Sequence, residues 1–492
     1  MPRAYSRLFA LLPQSQRQRT ADGLSALAVK PIDVMAPADS AISAGVAAPA
    51  RVAAVDVFRG LVMLILLPDL KGGWSFYQMA ADHPDSSKWR WLATAFTHAQ
   101  WTGMTVWDMV MPAFVFLVGV VMPFSVAARR RDGQSDARIY LHVILRSLAL
   151  LLLGMILRMS LTTTWDELWP LLVLSAGLPV GDAVRRMPWL GRRTNPWIVE
   201  LIWWGLILTA ATVHVLDNLP EIGNYDLLHV FSQLALSCVC AFPFVGRGVR
   251  VQLGAAGLIL LGYAALFMLY PLPGPDFNPA HNGVQPTDQV FTGLFAHWNK
   301  NSNVAAVFDT WFLNKLPRAV PFVFNEYGGQ TLNFIPTTAT VLFGIMAGEL
   351  LRSGRSRERI RAELLRWGAG GIVLGLLLGV TVIPIVKSLW TPSWTLLSTG
   401  GCALILAGFY QLCEIRRRPA WLFPLIVLGT NSILLYTLAS DYRWWFLLRL
   451  QHVLGLDISS GPAGPVAASA AFILMLWAVA YVLYRSRIMV RL

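Results

Sequence analysis

Apolar residues in this chain do not alternate with polar ones; they come in long runs. The runs lie near residues 53–70, 105–128, 138–160, 167–184, 197–216, 227–245, 249–270, 331–351, 367–387, 394–413, 421–440 and 464–484. Most reach the roughly 17–25 residues that span a ~30 Å hydrocarbon core at 1.5 Å per residue. None shows the period-2 alternation of a barrel strand, and an open sheet cannot face lipid, so each run predicts a helix. The pattern predicts an all-α, polytopic integral membrane helix bundle with about twelve spans and at least ten. The weakest run is 167–184, interrupted by Gly177, Pro179 and Gly181.

Composition supports this picture. Of 492 residues, 55% are hydrophobic and 14% charged, and the mean hydropathy is +0.54; soluble domains carry about a quarter charged residues. The 20 Trp suit membrane interfaces. A net charge of +13 raises nucleic acid as a partner, but the charges form no single patch. They cluster at Arg129–Arg131, Arg185 to Arg193, Arg247 and Arg250, Arg352 to Arg366, Arg416–Arg418 and Arg485 to Arg491. Threaded through twelve spans, these connections fall on one side and hold roughly twice as many Lys and Arg as the alternate ones, which makes that side, and both termini, cytoplasmic. The partner is therefore the lipid bilayer, not nucleic acid.

Residues 1–50 read as a disordered cytoplasmic tail, because Leu8 to Leu12 is too short for a signal-peptide core. Residues 51–492 form the membrane domain, with two long outer loops, 71–104 and 271–330, of the kind that bind ligands or act as lids. Cys238, Cys240, Cys402 and Cys413 lie in predicted spans and read as small helix residues, with neither disulfides nor a metal site expected.

Ionisable residues at the mouths of spans mark candidate chemistry, since burying charge in lipid is expensive. Asp56 and Arg59 share one face of the first span at its cytoplasmic end. They either neutralise each other or present Arg59 to a phosphate-bearing molecule. At the outer end, Asp69 follows the same span, His98 precedes the second, and Asp108 lies one turn inside it. A carboxylate that orients an imidazole leaves its other nitrogen free to take a proton, and Asp69 is placed to approach His98. On composition alone, His83, His281, His297 and His452 face outward equally. Asn333 and Asn431 lie in spans, as amide donors or as helix–helix contacts.

The block His98-Ala99-Gln100-Trp101-Thr102-Gly103-Met104-Thr105-Val106-Trp107-Asp108-Met109-Val110-Met111-Pro112 resembles the signature of the heparan-α-glucosaminide N-acetyltransferase family, transmembrane acyltransferases. Asp56-Val57-Phe58-Arg59-Gly60 resembles the family's opening motif. Weaker matches are Gln330 to Pro336, Trp390 to Leu396 and Gly429 to Ile433. The resemblance implies a bacterial-type enzyme of the inner (plasma) membrane. It would take acetyl from cytoplasmic acetyl-CoA, as co-substrate and without a metal, to a saccharide amine or hydroxyl on the periplasmic side. It puts the catalytic His at His98; the residues themselves add Asp69 and Asp108 as candidate catalytic partners, Arg59 and Asp56 toward acetyl-CoA, and Trp101, Asn333 and Asn431 toward the acceptor, and a homodimer is compatible with this set. The sequence departs from the family at Asp69, where the animal enzyme has Asn, at Thr102, and around Gln233, where an Arg is usual. Spans 167–216 are additional to the animal core. The alternatives are an amino-sugar or saccharide transporter, which also suits twelve spans with both termini inside, and a non-catalytic membrane scaffold, which leaves Asp69, His98 and Asp108 without a role.

Overall fold

The computed structural model describes residues 52–70, 74–159, 205, 209, 212 and 227–486, less 317, 319, 418, 419 and 456. The expected tail, the run 167–184 and nearly all of 197–216 lie outside these residues. Among the described residues every regular element is a helix. In chain order they are α1 (Ala53–Leu66), α2 (Phe76–Asp82), α3 (Ser87–Ala95), α4 (Val110–Arg131), α5 (Asp136–Met159), α6 (Val230–Ala241), α7 (Val249–Leu269), α8 (Val304–Leu313), α9 (Phe334–Leu351), α10 (Arg357–Thr381), α11 (Pro392–Tyr410), α12 (Phe423–Thr430), α13 (Ser432–Leu454) and α14 (Gly464–Arg485).

Seven described helices are long and apolar enough to cross a membrane, or eight if the pair α12 and the first half of α13 is one span bent by 77°. The chain is an integral membrane protein. Ten of the twelve apolar runs lie in described residues, and all ten are helical. Two of them are short: α1 has 14 residues and α6 has 12, extended by a turn of 3-10 helix to Phe244. The run 421–440 is not one straight helix, because the ladder breaks at Asn431, where the backbone leaves the helical region (φ −124°, ψ 38°).

Lipid tails are as apolar as leucine, so tight packing and not burial alone must join such helices. Small residues provide it. A side chain at Gly60 would collide with the Leu425 carbonyl, and one at Gly429 with the Asp56 carbonyl, so α1 and α12 touch backbone to backbone. Gly119 of α4 and Gly344 and Gly348 of α9 make the same close approach. Around these seams one apolar core joins Phe58, Met63, Phe116, Leu406 and Phe472.

The two segments expected as outer loops are more structured than loops. Residues 71–104 hold α2 and α3, where Phe76 stacks on Trp89 and meets Phe96 edge-on. These helices are short and amphipathic, and α3 buries no residue, so neither gives an apolar run. Residues 271–330 hold α8 and a lattice of Asn side chains that satisfy loop backbone. Asn299 exchanges both amide bonds with Phe291 (2.7 and 3.0 Å), and Asn314 does so with Phe322 (2.7 and 2.9 Å).

Candidate active site

The site starts from a helix cap. Thr105 and Asp108 stand at the entry to α4 in the spacing of a capping box: the Thr105 hydroxyl accepts the Asp108 amide (3.2 Å) and the Asp108 carboxylate accepts the Thr105 amide (3.2 Å). The same Oδ2 also takes the Ala99 amide (3.1 Å), which folds residues 99–105 back over the helix start. Oδ1 is left for other work. It lies 2.7 Å from Nδ1 of His98 and 3.1 Å from Nζ of Lys387. The Asp108 side chain is 1% exposed and that of His98 56%, so a buried carboxylate holds a half-open imidazole.

Lys387 arrives from the turn between α10 and α11, and its Nζ is also 2.8 Å from Nδ1. A single Nδ1 cannot donate to Asp108 and accept from Lys387 at once. With Asp108 anionic and Lys387 cationic, the arrangement that satisfies all three has Nδ1–H and Nζ–H both donating to Oδ1. Nε2 then carries the lone pair, and among the described residues it has no hydrogen-bond partner. Burial holds the Lys387 ammonium below its ordinary range, against the opposite pull of Asp108 beside it. The turn carrying Lys387 is tightly held. Gly103 donates its amide to Ile385 (3.0 Å), and Thr391 and Ser393 both donate to the Pro384 carbonyl (2.9 and 2.8 Å). Trp390 there has φ +49°, an unusual conformation for a bulky residue that must be over-determined by its surroundings.

Lys387 also lines a cavity of about 190 Å³, together with His229, Gln233, Asn325, Tyr327, Asn333 and Trp390 among others. Its wall is rich in amides. The Asn333 amide nitrogen donates to the Ser388 carbonyl (2.8 Å), and that of Gln233 to Leu227 (2.8 Å). The two amide oxygens, Asn333 Oδ1 and Gln233 Oε1, are buried and have no partner among the described residues. Such acceptors cost free energy until a donor reaches them, so the cavity suits a ligand with hydroxyl or amine hydrogens.

Compared with known proteins, the chain is 22% identical to heparan-alpha-glucosaminide N-acetyltransferase of Homo sapiens over 463 residues, 90% of this chain and 60% of the human protein. It is 28% identical to the Mus musculus protein of the same name over 107 residues, 22% of this chain and 14% of that protein. The chain is similar to these acetyltransferases along most of its length. No protein-family model matches it, and the chain spans 60% of the length of the human relative.

Set beside that similarity, the expected residues divide. His98 and Asp108 meet; Asp69 goes elsewhere. The carboxylate that orients His98 is Asp108, while Asp69 accepts from Ser75 (2.6 Å) and lies 3.8 Å from Arg443. Trp101 is buried, donates its indole N–H to the Trp298 carbonyl (3.2 Å) and packs under Gly328, so it ties loops together. Asn333 lines the cavity. Asn431 is fully buried at the α12–α13 break and outside that wall. Arg59 and Asp56 pair at 3.8 Å, and Arg59 donates to the Gly429 carbonyl (3.3 Å). Sequence reasoning missed Lys387, which meets His98 across 289 positions of chain, and His229, whose Nε2 is 3.3 Å from the Tyr436 hydroxyl. The Thr105-Val106-Trp107-Asp108 capping signature was the one local signal that Asp108 would organise the loop bearing His98.

Proposed function

We propose that the chain is a membrane acetyltransferase that moves acetyl from cytoplasmic acetyl-CoA to an amine or hydroxyl of a saccharide on the opposite, periplasmic side. The observation that carries this reading is the His98–Asp108 pair, with Nε2 unengaged and Lys387 linking the pair to an amide-lined cavity. The homology to an N-acetyltransferase supports the reaction class.

In the proposed reaction, acetyl-CoA brings an activated thioester. The acceptor amine or hydroxyl sits in the cavity and donates hydrogen bonds to Gln233 Oε1 and Asn333 Oδ1. His98 Nε2 takes a proton from the acceptor as its nitrogen or oxygen attacks the thioester carbonyl. The carbon–sulfur bond breaks and the imidazolium returns the proton to the leaving thiolate. Asp108 holds the tautomer and stabilises the imidazolium, as a carboxylate does in other His-based acyl transfers. Lys387 keeps Asp108 anionic and places a donor at the edge of the cavity. Arg59, with Asp56 beside it, faces the donor's phosphates from the cytoplasmic side.

Purified protein in detergent, given radiolabelled acetyl-CoA and a panel of amino sugars and oligosaccharides, tests this. The expected result is transfer to at least one acceptor that disappears in His98→Ala. Without acceptor, no exchange of label between acetyl-CoA and free CoA is expected; rapid exchange would replace general-base catalysis by an acetylated His98. Absence of transfer to any acceptor, with sugar uptake into vesicles instead, would overturn the enzyme reading.

A further inference from the structure

Of the side chains that line the amide cavity, Tyr327 is the large one that stays mostly exposed, at 74%. It therefore sits where the cavity opens. Among the described residues its ring meets no other aromatic ring, and its hydroxyl has no hydrogen-bond partner.

The backbone beneath that ring is fixed. The Tyr327 amide donates to Asn325 Oδ1 (2.9 Å) and the Gly328 amide to the Asn325 carbonyl (3.0 Å), which makes residues 325–328 a tight turn. The same carbonyl accepts Asn301 Nδ2 (2.9 Å), and Asn301 Oδ1 accepts from Gln330 Nε2 (3.3 Å). Gly328 has φ +66°, and a side chain there would meet the Trp101 ring at 2.6 Å. The turn thus rests on a residue of the His98 loop. Thr102 of that loop donates to Gln289 Oε1 (2.6 Å), and Gly103 donates to the Ile385 carbonyl (3.0 Å), beside the turn of Lys387. The Tyr327 turn, the His98 loop and the Lys387 turn are joined into one rim.

An exposed tyrosine is ordinary by itself. One held on a fixed turn at the opening of a cavity with unpaired acceptors has a use. A sugar ring has two kinds of surface, C–H groups on its faces and hydroxyls or amines round its edge. Asn333 Oδ1 and Gln233 Oε1, buried and without a partner among the described residues, suit the donors of the edge. The Tyr327 ring offers a face with negative charge at its centre, which attracts the polarised C–H groups of a sugar face. Because the turn is ordered before anything binds, stacking on it costs little conformational entropy. An amine or alcohol without a ring uses only the amide oxygens.

We propose that Tyr327 is the platform on which the acceptor's sugar ring stacks, and so the residue that makes this cavity favour a saccharide over a ring-less amine or alcohol. This rests on the acetyl-transfer reading above and names the residue that sets its acceptor class.

Binding and transfer are measured separately, with glucosamine as the ring probe and ethanolamine as the ring-less one. In saturation-transfer NMR on the purified full chain in detergent, without acyl donor, the glucosamine ring protons are expected to receive signal from the wild type and from Tyr327→Phe. They are expected to lose most of it in Tyr327→Ala. In transfer from labelled acetyl-CoA, Tyr327→Ala is expected to raise KM for glucosamine about tenfold or more, with kcat and KM for acetyl-CoA within about threefold of wild type. Transfer to ethanolamine is expected to be unchanged. Trp311→Ala removes an exposed aromatic ring of the same segment that does not line the cavity. It is expected to behave as the wild type does, which separates stacking from a general aromatic contact with the membrane surface. Unchanged KM and ring signal in Tyr327→Ala would overturn the proposal, and so would an equal loss with glucosamine and ethanolamine, the mark of a structural role. Ring binding that depends on Tyr327 in a protein that transfers no acetyl would uphold the platform and sink the acetyltransferase reading. Acetyl transfer by a wild type that gives no glucosamine signal would do the reverse.

Discussion

Asp108 and Asp69 are both buried carboxylates, one at the start of α4 and the other just past the end of α1, and each has a hydroxyl and a cation in reach. Asp69 is engaged by Ser75, which also meets Ser469 (2.8 Å), and Arg443 ties the group together by donating to the Pro68 carbonyl (2.9 Å), Ser75 and Ser469. That cluster fastens α1, α13 and α14 and ends in buried atoms. Asp108 spends one oxygen on a helix cap and the other on His98 and Lys387, so its chain of contacts ends on an imidazole nitrogen with no partner among the described residues, and on a lysine that lines the cavity. The residue types are nearly the same. What separates the clasp from the proposed acid–base site is whether the last atom in the chain is already used.

The comparison can be broken in four places. His98→Ala removes the terminal atom of the open cluster, and transfer is expected to fall on the order of 10²–10⁴-fold while the thermal midpoint in detergent barely moves. Asp108→Asn keeps an oxygen for the cap but loses the anion that steadies the imidazolium. Its kcat is expected to fall on the order of 10²-fold, with about 2 kcal/mol of stability lost because the buried Lys387 ammonium keeps no counter-charge. Arg443→Met should cost stability alone, because it strips hydrogen bonds from the clasp: about 2 kcal/mol of stability lost, read by thermal or denaturant unfolding, with kcat/KM unchanged within about threefold.

The smallest effect concerns Lys387. Burial sets its folded-state value below the ordinary 10.5, so the unfolded chain binds that proton more tightly. Stability therefore rises with pH across the window from the lowered value up to 10.5. Lys387→Met should lose that rise, seen as a difference between wild-type and variant melting curves recorded against pH. A difference of the opposite sign would mean that the Asp108 partnership outweighs burial.

Much of the bundle was legible because lipid imposes a plain rule: apolar runs of the right length must be helices, and all ten runs within the described residues are. The rule says less about interruptions. Gly429-Thr430-Asn431 breaks the run 421–440 by 77°, a matter of backbone geometry that hydropathy averages away. It also overlooks short amphipathic helices, so α2 and α3 were read as loop. In the candidate site, His98 was found through a motif, but its carboxylate was misassigned. Asp69 looked suitable because it follows the neighbouring span at the end expected to face outward, whereas a ten-residue loop folded back by the Thr105–Asp108 cap brings Asp108 closer. Lys387 lies 289 residues from His98, and nothing local in either segment announces such a meeting.

The central claim is that the open cluster does the chemistry and the closed one holds helices together. Acetyl transfer from labelled acetyl-CoA, measured side by side for His98→Ala and Asp69→Asn at matched folded protein, tests it most directly. The account predicts loss of transfer in His98→Ala and activity within about threefold of wild type in Asp69→Asn, whose cost of about 1 kcal/mol appears only in the melting curve. Transfer that survives in His98→Ala, or that vanishes in a folded Asp69→Asn protein, would contradict it.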